Sequence, residues 1–176
     1  MRELSLHLLD VVDNSIRAGA TVVAIGVEVD PAADTLRMTI EDNGPGFSVS
    51  PEVAADPFFT TKSGKKTGLG LSLFRAAAER AAGTMELGRS DLGGAKVAAS
   101  MKLSHVDRSP LGDLAMTIAA IVAANERLDL RLTLAGESAK EEFATSEHDP
   151  AGRLTQARSM SEGIQAAARR IWPGPM

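Results

Sequence analysis

Length, composition and charge exclude several classes of protein. The 176 residues can bury one sizeable core, and 44% hydrophobic with 24% charged residues is typical of a globular protein. A net charge of -4 argues against a nucleic-acid partner, because no basic excess is available to neutralise phosphates. The absence of cysteine excludes disulfides, thiolate metal sites and thiol nucleophiles.

The chain shows no targeting or membrane-spanning pattern. Met1 leads straight into an amphipathic stretch with acidic residues, which is not the pattern of a signal peptide. The longest nearly apolar run, residues 114–124, is too short to span a bilayer. We therefore expect a cytoplasmic protein with no membrane partner.

The first elements in chain order are a helix and a β-hairpin. Residues 3–18 have helical periodicity, with Leu9, Val12 and Ile16 on one face and polar residues, including His7, on another. Gly19 provides a left-handed C-terminal stop. Residues 21–29 and 35–40 then alternate between apolar and polar side chains on either side of a turn, which predicts two antiparallel strands.

A second helix and hairpin follow a glycine-containing loop. The loop EDNGPGF (41–47) cannot continue a strand. Residues 69–82 are alanine-rich and predict a helix that stops at Gly83. Residues 84–90 and 95–103 predict a second pair of strands. The predicted fold class is α+β, a two-layer α/β sandwich with helices on one face of a sheet.

The pattern begins afresh after residue 103. Helices are predicted for residues 111–124 and 154–171, with strands between them at 128–136 and 140–148. We interpret residues 1–103 as the main domain and residues 104–176 as a small appended α/β lobe of unknown role. Trp172 is interpreted as a packing anchor for this lobe, and the three histidines show no metal-ligand spacing.

The loop EDNGPGF contains the first candidate binding residues. Gly44 and Gly46 let the backbone approach another group closely, and Asp42 presents a carboxylate that can accept a hydrogen bond from an exocyclic amine. The alternative is a tight turn in which Asp42 and Asn43 satisfy local backbone amides.

Two further groups of residues are candidate binding sites, one for an anion and one for a cation. TGLGL (67–71) stands before a helix, whose unsatisfied amides attract anions, although a plain connector has the same pattern. Asn14 offers an amide oxygen to a hard cation, and Asp10 one turn earlier can orient or deprotonate a water. The alternative for Asn14 and Asp10 is a solvated polar face of the helix.

Lys62 and its neighbouring lysines can close onto phosphate oxygens, or serve solubility alone.

These motifs occur in an order that resembles the GHKL superfamily of ATP-binding domains, which includes gyrase, MutL and sensor histidine kinases. The resemblance covers residues 1–103. DNSIRAGAT (13–21) is similar to the first box of MutL-like members. PFFTTKSGKKTGLGLSL (57–73) is most similar to the catalytic domains of sensor histidine kinases.

The resemblance implies ATP held with Mg²⁺ between the helices and the sheet. By this analogy Asn14 ligates the magnesium, Asp42 accepts a hydrogen bond from the adenine amino group, and Gly44 and Gly46 shape the base pocket. The analogy also implies an ATP lid and a phosphate-binding site. Their cofactor-binding residues are Phe58, Thr60, Thr61, Lys62, Thr67, Gly68, Leu69 and Gly70.

Three departures from the family pattern bear on activity. Asp10 stands where MutL-like ATPases carry a catalytic glutamate, and it is one methylene shorter. Ala95 stands where relatives often have threonine. Since no helical hairpin with a phosphorylatable histidine precedes Asn14, we do not expect a complete sensor kinase.

A further resemblance suggests a partner. The opening twenty residues and DRSPLGDLAMTI (107–118) are similar to free-standing ATP-binding proteins encoded beside iron-only hydrogenases. That resemblance implies a regulatory or maturation role with a hydrogenase-associated partner.

The leading hypothesis is a Mg-ATP-binding protein that acts on or through a partner protein as a slow ATPase or kinase-like regulator. The first alternative is a split protein kinase that transfers phosphate to a histidine or serine on another chain, and the aromatic and threonine segment favours histidine. The second alternative is a non-catalytic, nucleotide-dependent binding switch.

Overall fold

The computed structural model describes residues 3–48, 69–145 and 152–172. These residues form four helices and six strands, in the predicted chain order. In chain order the elements are α1 (Leu4–Arg17), β1 (Val22–Asp30), β2 (Thr35–Asp42), α2 (Leu69–Arg80), β3 (Thr84–Arg89), β4 (Ala95–Lys102), α3 (Leu114–Ala124), β5 (Asp129–Ala135), β6 (Lys140–Ala144) and α4 (Arg153–Ile171).

The strands form one mixed sheet in the order β3-β4-β2-β1-β5-β6. The hairpin β1–β2 has the predicted alternation, with Val23, Ile25 and Val27 buried on β1 and Leu36 and Met38 buried on β2. These side chains share a core with the apolar faces of the helices. The predicted α+β sandwich is confirmed.

The buried face of α1 differs from the prediction. Leu4, Leu8 and Val11 are fully buried with Val12, whereas Leu9 and Ile16 are only partly buried. His7 was expected on the polar face, but it is 2% exposed because its ring stacks on Phe74 of α2, with ring centroids 5.5 Å apart. Gly19 has φ of 94°, which confirms the left-handed stop.

The end of α2 corrects the role assigned to Gly83. The residue with a left-handed conformation is Ala82, with φ of 54°. Gly83 is needed for a different reason, because a Cβ there would lie 1.9 Å from the carbonyl oxygen of Ser100 on β4. Glycine therefore allows the chain to pass against the backbone of the sheet.

We expect Gly83→Ala to lower the free energy of unfolding by about 2–4 kcal/mol, because the clash is with backbone that cannot rotate away. Urea unfolding would measure the loss. Gly88→Ala on β3 is the control, because no atom lies within 4 Å of the position that its Cβ would take. Equal unfolding midpoints for the two variants would contradict this explanation.

The elements after residue 103 extend the same sheet. β5 lies beside β1 in parallel, with Val23 opposite Leu130 and Ile25 opposite Leu132. Their side chains join one hydrophobic core with those of β1 and α1. α3 begins three residues later than predicted, because Gly112 has φ of 77° and Asp113 caps the helix by accepting from the amide of Met116 at 2.8 Å. A separate role for residues 104–176 stays a prediction.

Trp172 follows α4 and is 6% exposed. Its indole N–H donates to the carbonyl oxygen of Ala135 at the end of β5, at 3.1 Å. The ring thus packs the end of α4 against the sheet, as expected of a packing anchor.

Candidate functional site

Asp42 ends β2 and is the most enclosed of the predicted site residues that the structure describes. It is 5% exposed, and its carboxylate receives three donors. The amides of Gly44 and Ala95 donate to Oδ1 at 2.9 and 3.0 Å, and the hydroxyl of Ser15 donates to Oδ2 at 2.6 Å. A carboxylate has about four acceptor positions, so the donors among the described residues leave one position on Oδ2 for a further donor.

The alternative interpretation, in which Asp42 and Asn43 satisfy local backbone amides, holds for Asp42, which accepts from the amide of Gly44, whereas the partners of Asn43 are distant in sequence. Asn43 Oδ1 accepts from the amides of Thr21 and Val22, each at 2.9 Å, and its Nδ2 donates to the Thr21 hydroxyl. This side chain ties the turn after α1 to the end of β2. The two interpretations of the loop are compatible, because Asp42 retains acceptor capacity.

Glycines lie close to the Asp42 carboxylate, where a side chain would be crowded. A Cβ at Gly44 would lie 3.2 Å from Asp42 Oδ1, and Gly46 has φ of 77°. Gly94 was not predicted as a site residue, yet a Cβ there would lie 2.2 Å from Asp42 Oδ1. Its amide also donates to the Asp42 carbonyl oxygen at 3.0 Å. The doubled glycine in DLGG was the available signal, since only Gly93 has the positive φ of that turn.

Glu41 holds the same glycine turn from the opposite face of the sheet. Its carboxylate accepts from the Ser90 hydroxyl at 3.1 Å and pairs with Lys96 at 3.0 Å. Burial acts to raise the pKa of Glu41, but the hydrogen bonds from Lys96 and Ser90 outweigh it and leave this pKa below its ordinary value. The turn that supplies Gly94 and Ala95 is thereby fixed on both faces.

Asp10 and Asn14 lie beside the start of α2. A Cβ at Gly70 would be 3.4 Å from the Cβ of Asp10 and 3.7 Å from Nδ2 of Asn14. Both side chains are half-buried. Gly70 lies in the first described turn of α2 (Leu69–Arg80), so this end of the helix is close to both polar groups.

Part of the predicted site lies outside the described residues. The residues concerned are Phe58, Thr60, Thr61, Lys62, Thr67 and Gly68. Their contacts with a ligand stay predictions. Within the described residues, the structure brings Asp42, Gly44 and Gly46 together at the end of β2, and Asp10, Asn14 and Gly70 together between α1 and α2.

α1 joins these two groups, because Ser15 contacts Asp42 and the preceding Asn14 lies near Gly70. The arrangement offers a buried acceptor at one end and a helix N-terminus with oxygen ligands at the other. A ligand with an amine and an anionic group suits both ends.

A family model described as histidine kinase-, DNA gyrase B- and HSP90-like ATPase matches residues 2–105, more than half of the chain. The chain belongs to this ATPase family. The predicted GHKL resemblance is confirmed, and family membership supports ATP binding. No curated protein is similar enough to the chain to count as a relative.

Solved structures share the fold of this ATPase-family chain. The N-terminal domain of a DNA repair protein is 13% identical with a TM-score of 0.56, over 89% of this chain and 57% of that chain. The part of this chain that matches the DNA repair domain is larger than residues 2–105. The similarity in fold therefore extends past β4.

Two histidine kinase domains are also similar to parts of the chain. The ATP-binding domain of PrrB from Mycobacterium tuberculosis is 27% identical over 56% of this chain and 66% of that chain, with a TM-score of 0.41. The catalytic domain of the histidine kinase ThkA is 24% identical over 60% of this chain and 67% of that chain, with a TM-score of 0.43. The chain thus spans about two thirds of these two structures and less of the DNA repair domain.

None of the helices that the structure describes is long and apolar enough to cross a membrane.

Proposed function

We propose that this ATPase-family protein binds Mg-ATP and acts on or through a partner protein as a slow ATPase or kinase-like regulator. The observation that carries the proposal is the Asp42 carboxylate, which is buried and receives three donors from the part of the chain that the structure describes, where one acceptor position stays unused. A buried carboxylate in this state selects a ligand with a hydrogen-bond donor. The exocyclic amine of adenine is such a donor.

The other end of the site suits the triphosphate and its cation. Mg²⁺ prefers oxygen ligands and is commonly bound by one or two side chains together with substrate phosphates. Asn14 offers an amide oxygen and Asp10 a carboxylate, and both lie beside the start of α2. These residues fit the cation, which when bound would neutralise phosphate charge. The N-terminus of α2 would meet the phosphate oxygens with its free amides.

Hydrolysis would use Asp10 as general base. A water oxygen attacks the terminal phosphorus, the bond to the bridging oxygen breaks, and the water proton passes to the Asp10 carboxylate while ADP leaves. The closeness of Asp10 to α2 supports this role, because its Oδ2 would lie 3.8 Å from a Cβ at Gly70. The shorter side chain accounts for a slow rate.

The partner is expected to be a hydrogenase-associated protein or a phosphoacceptor, in a cytoplasmic setting. A regulator of this kind needs a partner whose affinity differs between the ATP-bound and ADP-bound states. Capture of partners in the presence of ATP and, separately, of ADP would identify such a protein.

Asp10→Asn tests the catalytic part of the proposal. We expect phosphate release from Mg-ATP to fall by about 100-fold or more, because the amide cannot take the water proton, while ATP affinity measured by calorimetry changes little. Asp13→Asn is the matched control on the same helix, since the half-buried Asp13 pairs with Arg17 at 2.8 Å and has no other ion pair among the described residues. Unchanged turnover in Asp10→Asn would remove Asp10 from catalysis.

A further inference from the structure

Ser15 is a buried hydroxyl to which the site described above gives no role toward a ligand. It lies on α1, directly after Asn14, and is 6% exposed. Its Oγ donates to Asp42 Oδ2 at 2.6 Å, a contact between residues 27 positions apart. Among the described residues, Ser15 supplies the hydrogen bond to Oδ2, whereas Gly44 and Ala95 both donate to Oδ1.

The carboxylate of aspartate has a broad rotational preference and needs hydrogen bonds to hold one orientation. Two amides hold Oδ1, and the Ser15 hydroxyl holds Oδ2. With all three donors in place the carboxylate acts as an acceptor in each contact, and its last acceptor position lies on the oxygen that Ser15 contacts.

We propose that Ser15 is a positioning residue that makes Asp42 selective for a purine with an exocyclic amine over one with a carbonyl oxygen at the same place. The inference rests on the proposed binding of ATP. An amine donates to the remaining position of Oδ2, whereas a carbonyl oxygen brings a second acceptor against a buried acceptor and leaves both without a proton. Without Ser15, Oδ2 loses its fixed donor and holds the amine less well.

The test is calorimetric affinity for Mg-ATP and for Mg-inosine triphosphate, which carries a carbonyl oxygen in place of the amine. We expect the wild-type protein to prefer ATP. Ser15→Ala should weaken ATP binding by about tenfold, the effect of one hydrogen bond to a charged group. Its affinity for inosine triphosphate should stay within about twofold of wild type. Ser15→Thr keeps the hydroxyl and should keep the preference.

Ser5→Ala is the matched control, because Ser5 lies on the same helix, is 1% exposed, and its hydroxyl has no partner among the described residues. It should leave both affinities unchanged. Equal weakening of both nucleotides by Ser15→Ala would show a merely structural role and overturn the inference. A wild-type protein that binds neither nucleotide, or both equally, would instead overturn the proposed adenine recognition itself.

Discussion

Asp42→Asn is expected to lower the affinity for Mg-ATP by about 100-fold, because under the proposed function the substitution turns the acceptor for the adenine amine into a donor. The amide is close in shape to the carboxylate, and its oxygen can still accept from Gly44 and Ala95, which now donate to Oδ1. The fold should therefore persist. Isothermal titration with Mg-ATP measures the affinity, and thermal unfolding of the free protein confirms that the variant is folded.

Asp91→Asn serves as the control for the loss of one negative charge near the site. Asp91 is exposed and lies in the same glycine turn that reaches Asp42. Its replacement should leave ATP affinity within about twofold, since an exposed charge is screened by solvent. Wild-type affinity in Asp42→Asn would show that this carboxylate does not recognise the base.

Arg153→Met is expected to lower the free energy of unfolding by about 1.5–3 kcal/mol, the range for hydrogen bonds made by a charged group. Arg153 is 5% exposed at the start of α4. Its guanidinium donates to the carbonyl oxygens of Val122 at 3.0 Å and Asn125 at 2.8 Å, and also to that of Leu128. The side chain thereby ties the end of α3 to the start of β5.

The loss arises because methionine fills the space but removes the guanidinium donors, so that each of these carbonyl oxygens keeps one other donor, from Asn125 N–H, Leu128 N–H and the Thr145 hydroxyl respectively. Burial also lowers the pKa of Arg153, so the hydrogen bonds must compensate for desolvation. Arg158→Met on the same helix is the control. Arg158 pairs with Glu162 at 3.0 Å, but its side chain is 83% exposed, so the change should be within about 0.5 kcal/mol. Equal urea midpoints for both variants would contradict the predicted role of Arg153.

The structure brings predicted site residues together where they are close in sequence or stand in ordered motifs. Asp42 and Gly44 share one loop, and Asp10 and Asn14 share one helix face, so spacing alone predicted each pair. Ser15, Gly94 and Arg153 were missed as functional or structural residues. Their partners lie 27, 52 and about 30 positions away, respectively, and local periodicity carries no information about such contacts.

By itself, the amino-acid sequence determined the class of fold, the order of helices and strands, and the ATPase motifs, because these depend on alternation, glycine placement and short spacings. Only the tertiary structure decided that β5 lies beside β1, that α1 buries His7 against Phe74, and that Gly83 admits the backbone of β4. The physical reason is that burial and strand pairing depend on groups brought together by folding. A polar side chain such as Ser15 is buried when a distant acceptor satisfies it.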